Sequence, residues 1–190
     1  MKIGLFFGSF NPIHVGHLAI ANYMVEFTDI TQIWFVVSPH NPLKEKKSLL
    51  SDYARLDLVK EAIADDLRFK ASDIEFRMPQ PSYTIDTLAY LKEKHPDLKF
   101  VIIMGSDGLS SFHKWKNADQ LIQNYQRYIY PRQPFHENDL RGHENIRLVA
   151  APQIEISSTF IRQAFKEKKD VRHFMPPAVF RAIDRSGYYR

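Results

Sequence analysis

The 190-residue chain has no cysteine, which rules out a disulfide framework and any thiolate metal site. The apolar run after Lys2 meets Asn11 and Pro12 within a few residues, too soon for a secretory signal or a membrane span. A cytoplasmic protein without a membrane partner is therefore expected. Charge of one sign is not concentrated: the net charge is +4, but Lys and Arg are spread along the chain, which favours small phosphorylated ligands over nucleic acid. There is no internal repeat, no low-complexity segment and no long linker, so residues 1–190 are expected to form a single domain with a small helical part from about 157. The P-loop spacing and the complete G-x-G-x-x-G turn are both missing. No Ser-His-Asp or Cys-His arrangement and no H-E-x-x-H pattern is evident, and no carboxylate cluster offers a cage for a metal.

What is present begins at Gly4–His17, GLFFGSFNPIHVGH. Apolar residues suited to one buried strand give way to a turn through Gly8, Ser9, Asn11 and Pro12, and the apolar pattern resumes at Val15 and Leu18 with helical spacing. A helix starting there points unpaired N–H groups and a partial positive charge at the turn, which favours a phosphate. His14 and His17, three apart, share one face of the first helical turn and can donate to phosphate oxygens. By themselves they also fit an incidental pair or a fragment of a metal site. Gly16 between them removes a side chain that could block a ligand.

Further strands are expected at Gln32–Val37, Phe69–Ala71, Ile74–Phe76, Lys99–Met104, Gln126–Tyr130 and Asn145–Val149, with Ile156 closing a short one. Helices are expected at Val15–Phe27, with Val15, Leu18, Ala19, Asn22 and Val25 on one side; at Asp52–Ala64, capped by Ser51; from Ser82 or Thr84 to Lys94; after Ser157; and within Met175–Arg185. Strands nearly continuous in Val, Ile and Phe, alternating with helices, predict a Rossmann-like, doubly wound, mostly parallel sheet covered on both faces.

Several side chains sit where such folds bind ligands. His40 and Lys44 follow the second strand, whereas Lys46 and Lys47 read as solvated. Arg55 can either swing toward phosphates or form a surface salt bridge. Gly105 and Gly108 flank Asp107 at a strand end, where Asp107 is either a ribose or phosphate contact or a helix cap. Trp115, flanked by charge, suits a ring with one open face. Arg132 lies in a proline-bounded turn, and the polar loop from there to Glu144 is expected to be mobile. Ser157, Ser158, Thr159 and Arg162 together read as a second anion site, although Ser157 alone would be only a cap.

In order, GSFNPIHVGH, SPHNPLK, SYTIDTL, GSD, W-K, YPR and ISSTFIR resemble the successive motifs of bacterial nicotinate mononucleotide adenylyltransferases, in the H-x-G-H nucleotidyltransferase superfamily. The likeness spans Gly8 to Arg162, and MPPAVFRAI is similar to that family's closing helix. It implies adenylyl transfer from ATP to nicotinate mononucleotide, giving deamido-NAD and pyrophosphate, with Mg²⁺ carried in on the nucleotide. It places ATP against Gly8, Ser9, Phe10, His14, His17, Lys44, Gly105, Asp107, Ser157, Ser158, Thr159 and Arg162, with His14, His17 and Arg162 catalytic. The mononucleotide would meet Ser9, His40, Lys44, Tyr83, Thr84, Trp115, Lys116 and Arg132; amides near Thr84 and Trp115 receive its carboxylate and the indole stacks on its ring. Phe7 stands where the family usually has glycine and Asn11 where it has aspartate. Phe7 can end the strand instead, and Asn11 can make a turn through its side-chain amide. The other readings are a sister transferase using nicotinamide mononucleotide or phosphopantetheine, a noncatalytic nucleotide sensor, and a metal hydrolase.

Overall fold

The computed structural model describes residues 1–39, 49–133 and 142–190. Six strands, β1 (Lys2–Gly8), β2 (Gln32–Val37), β3 (Phe69–Ser72), β4 (Lys99–Gly105), β5 (Gln126–Tyr130) and β6 (Ile146–Leu148), form one sheet. Every pairing is parallel, in the order β3-β2-β1-β4-β5-β6. This is the doubly wound order, which reverses direction between β1 and β4 and leaves a crevice beyond their C-terminal ends.

Strand β2 shows why its sequence is apolar from Ile33 onward. Ile33, Phe35 and Val37 enter one core with α1 (Val15–Phe27), α2 (Asp52–Ile63), α5 (Ser158–Lys166) and α6 (Pro177–Ser186). Trp34 and Val36 enter the opposite core with α3 (Thr84–Lys94) and α4 (Ala118–Asn124). Two covered faces leave no position on a central strand for a polar residue. The Ser51 hydroxyl accepts from the Ala54 N–H at 3.3 Å and starts α2 as expected, a bond of a kind that contributes about 1 kcal/mol.

Four local expectations are corrected. Ile74–Arg77 is a short 3-10 helix, not a strand, closed by the Phe76 N–H on the Asp73 carbonyl. Residues 154–156 lie outside the sheet. Helix α1 buries Gly16, Ile20, Ala21 and Met24, while Asn22 is exposed: VGHLAIANYMVEF is apolar nearly all round, so its periodicity does not fix which side faces inward. Strand β1 runs one residue past Phe7, to Gly8.

Candidate active site

Strand β1 delivers the chain to the crevice at Gly8, where it turns sharply: Phe10 has φ of 44° and folds its ring back over Gly8. A Cβ on Gly8 would lie 2.9 Å from that ring, so only glycine fits beneath it. Phe10 itself is 1% exposed, packed edge-on against Phe6 and Phe35. The ring shapes the turn from inside the core, which leaves the backbone of Phe10 as the part that can meet a ligand. Asn11 is tied to distant segments, its side-chain oxygen accepting from the Leu50 N–H at 3.2 Å and the Tyr189 hydroxyl at 2.8 Å.

His14 is the N-cap residue of α1, and its N–H donates to His17 Nδ1 at 3.3 Å. The imidazoles lie 3.8 Å apart and 30° from parallel. His14 is 5% exposed and its Nδ1 has no hydrogen-bond partner. Burial, reinforced by the Arg132 guanidinium, lowers its pKa to about 4, so at neutral pH it is an uncharged imidazole able to donate one hydrogen bond. A side chain at position 16 would meet the His14 ring at 3.0 Å, which gives Gly16 a role not anticipated from sequence: it makes room for the imidazole itself.

Helix α5 starts against the same turn. Ser157 caps it, accepting from the Phe160 N–H at 3.1 Å. Ser158 Oγ donates to the Pro12 carbonyl at 2.9 Å, Arg162 Nη1 to the Asn11 carbonyl at 2.8 Å, and Arg162 Nη2 to Thr159 Oγ1 at 3.3 Å. The Ser158–Pro12 and Arg162–Asn11 bonds join segments about 150 positions apart in sequence and bring the start of α5 to the start of α1. Between them lies a cleft of about 360 Å³, bordered by His14, Gly16, His17, Arg132 and Ser157.

Arg132, expected beside the mononucleotide, borders this cleft with the histidines. Its backbone N–H and carbonyl both bond the Ser106 hydroxyl, each at 2.9 Å, and its Nε lies 3.7 Å from Asp107. A Cβ on Gly105 would strike Asp107 Oδ1 at 2.4 Å, so this glycine permits the carboxylate to fold back toward Arg132. Sequence reasoning missed Tyr130, Gln153, Ile154 and Glu155, which also line the cleft. Of these only Tyr130 falls in a quoted motif, YPR, and the residues before Ile156 read as part of a short strand, so nothing marked their side chains for the cleft.

The remaining described candidates gather on the other face of the sheet. Tyr83 is the N-cap residue of α3 and Thr84 its first residue. Lys116 bonds Asp86 at 2.8 Å and sits 4.8 Å from the Tyr83 ring centre, which links the 83–86 turn to 115–116. Trp115 leans on Phe112, ring centres 5.4 Å apart, and stays partly exposed. Ser9 stays with the β1–α1 turn, where its carbonyl accepts from Arg55. His40 and Lys44 lie outside the described residues, as does most of the loop after Arg132. Among the described residues no three His, Asp or Glu side chains converge to hold a metal, and no helix is long and apolar enough to cross a membrane.

A parallel sheet with an H-x-G-H helix start and an I-S-S-T-x-I-R helix start meeting over its switch point defines a nucleotidyltransferase. The profile of the cytidylyltransferase-like family accordingly matches residues 5–164. A relative from Flavobacterium psychrophilum, named "probable nicotinate-nucleotide adenylyltransferase", is 53% identical over the full length of both chains. One of the same name from Bacteroides thetaiotaomicron is 48% identical over 96% of this chain and 91% of its own. The chain belongs to the nicotinate-nucleotide adenylyltransferase family. Among solved structures, a Plasmodium falciparum nicotinic acid mononucleotide adenylyltransferase complexed with NaAD superposes with a TM-score of 0.83, at 21% identity, over 99% of this chain and 97% of that one. A second structure of that protein, complexed with APC, gives 0.81, covering 99% and 96%. Both agree with the fold.

Proposed function

We propose that this protein transfers the adenylyl group of ATP to nicotinate mononucleotide, forming deamido-NAD and pyrophosphate in NAD biosynthesis. The observation that supports it most is the docking of the α5 start onto the β1–α1 turn, which brings Ser157 to the cleft of the histidine pair and ties Ser158 and Arg162 to the turn beside it. In the reaction a 5′-phosphate oxygen of the mononucleotide attacks the α-phosphorus, and the bond to the bridging oxygen breaks as pyrophosphate leaves. No protein nucleophile is required, so catalysis is alignment of two anions and stabilisation of spreading charge. His14 and His17 donate to the α- and β-phosphates. Ser158, Thr159 and Arg162 hold the outer phosphates; the Arg162 bonds to Asn11 and Thr159 use two of the five guanidinium N–H groups.

Mg²⁺ enters as part of the nucleotide substrate, held by its phosphates. The pyridine ring rests on Trp115, with its carboxylate at the backbone amides near Thr84 and Trp115. The chain works as a single domain in the cytoplasm, without nucleic acid as a partner. The test is to supply MgATP with nicotinate mononucleotide, nicotinamide mononucleotide or phosphopantetheine in parallel. Pyrophosphate should form fastest with the first; faster turnover with either alternative, or none with any, overturns the reading.

A further inference from the structure

Two charged side chains that the chemistry above does not use are among the most deeply buried in the molecule: Arg55 is 0% and Glu75 2% exposed. Arg55 was expected at the phosphates or in a surface salt bridge. It does pair with Asp52, at 2.6 Å, but its guanidinium is spent mainly on backbone. Nη1 donates to the Ser9 carbonyl at 2.6 Å and the Ser38 carbonyl at 2.9 Å, Nε to Leu50 at 3.2 Å and Nη2 to Pro39 at 3.4 Å. Glu75 accepts from the Thr87 hydroxyl at 2.8 Å and the Ser82 hydroxyl at 3.1 Å, and bonds the Ser38 hydroxyl as well. Burial of this carboxyl raises its pKa against those three bonds. Burying charge is costly, and the cost is offset only where the surrounding dipoles are held in place.

The bonds make a triangle. Ser9 belongs to the turn of the histidine cleft. Ser82 and Thr87 bracket Tyr83 and Thr84, where the mononucleotide carboxylate is assigned. Ser38 is the shared corner: its N–H donates to the Gly8 carbonyl at 2.9 Å, its carbonyl accepts from Arg55 and its hydroxyl meets Glu75.

We propose that Arg55 and Glu75, joined through Ser38, are positioning residues that fix the distance between the two substrate subsites. The proposal rests on the transferase reading above. In-line attack tolerates little error in that distance, so loosening one corner costs turnover or affinity well before it costs the fold.

The test is steady-state kinetics on Glu75→Gln, Arg55→Lys and Ser38→Ala. Glu75→Gln keeps the volume and should raise KM for nicotinate mononucleotide about tenfold while KM for ATP stays within about twofold. Arg55→Lys loses the planar fork and should lower kcat about tenfold. A purely structural role would lower the melting temperature and the active fraction while leaving each KM at its wild-type value, and that result overturns the proposal. Should Glu75→Gln not fold, Ser38→Ala, which removes one hydroxyl, carries the same expectation at about threefold, and an unchanged KM there is equally fatal. If the wild-type protein makes no deamido-NAD, the transferase reading has failed; if it does, and Glu75→Gln and Ser38→Ala keep both KM values while Arg55→Lys keeps its kcat per titrated active site, this inference alone has failed.

Discussion

The two faces of the sheet present different chemistry to the crevice. On one, two helices begin at a common turn, and the cleft between them is bordered by imidazoles, a guanidinium and a hydroxyl. On the other, Lys116 is bonded to Asp86 and laid over Tyr83, so what this face presents at the α3 turn is an indole surface and the first N–H groups of a helix. A polyanion calls for side-chain donors and helix starts. A planar ring with a single carboxylate calls for a flat apolar surface and a few amides. The difference predicts that substitutions on the first face damage chemistry and stability, and those on the second mainly binding.

The largest effect concerns His14. Its pKa is about 4 when folded against an ordinary value of 6.5, so between these pH values the unfolded chain takes up a proton that the folded chain refuses. Stability therefore falls as pH drops from 6.5 to 4, by a total of about 3 kcal/mol, with no further contribution below 4. Denaturant unfolding of the wild type and His14→Gln at pH 7.5 and pH 4.5 should show the variant gaining on the wild type by about 2–3 kcal/mol at the lower pH. Parallel pH dependences would show that His14 is not kept neutral by its burial.

His17→Ala should lower kcat at least about a hundredfold, the scale of one preorganised donor, measured as pyrophosphate release at saturating substrates. Near-normal turnover would remove this histidine from the mechanism and erase the contrast between the faces.

How much of this was legible differs between the faces for physical reasons. The β1–α1 turn and the start of α5 could be read because each joins a local backbone signal, a glycine turn or a serine cap, to side chains at helical spacing. That they converge on one crevice follows from the expected sheet; the bonds that hold them there, between residues 11 and 162 and between 12 and 158, could not be read. The neighbours of Arg132 could not be read because they come from strand register: β5 pairs Tyr130 with Gly105 and so carries Arg132 to Ser106 and Asp107. Glu75 lies between Ile74 and Phe76, an alternation that reads as a strand; three hydroxyls from distant residues gather around it instead, and the segment coils. Charged residues that serve the interior look, in sequence, like any others.

The smallest effect tests the second face. Trp115 is held from behind by Phe112 and is partly exposed, so removing the indole should leave the fold in place and take away only the surface under the pyridine ring. Stacking of this kind contributes about 1 kcal/mol beyond area burial, and Trp115→Ala should raise KM for nicotinate mononucleotide about tenfold with kcat within about threefold. KM for ATP should not move, because the histidine cleft lies across the sheet. An equal rise in both KM values would mean that the faces act as one surface, and the division drawn between donors on one side and planes on the other would have to be abandoned.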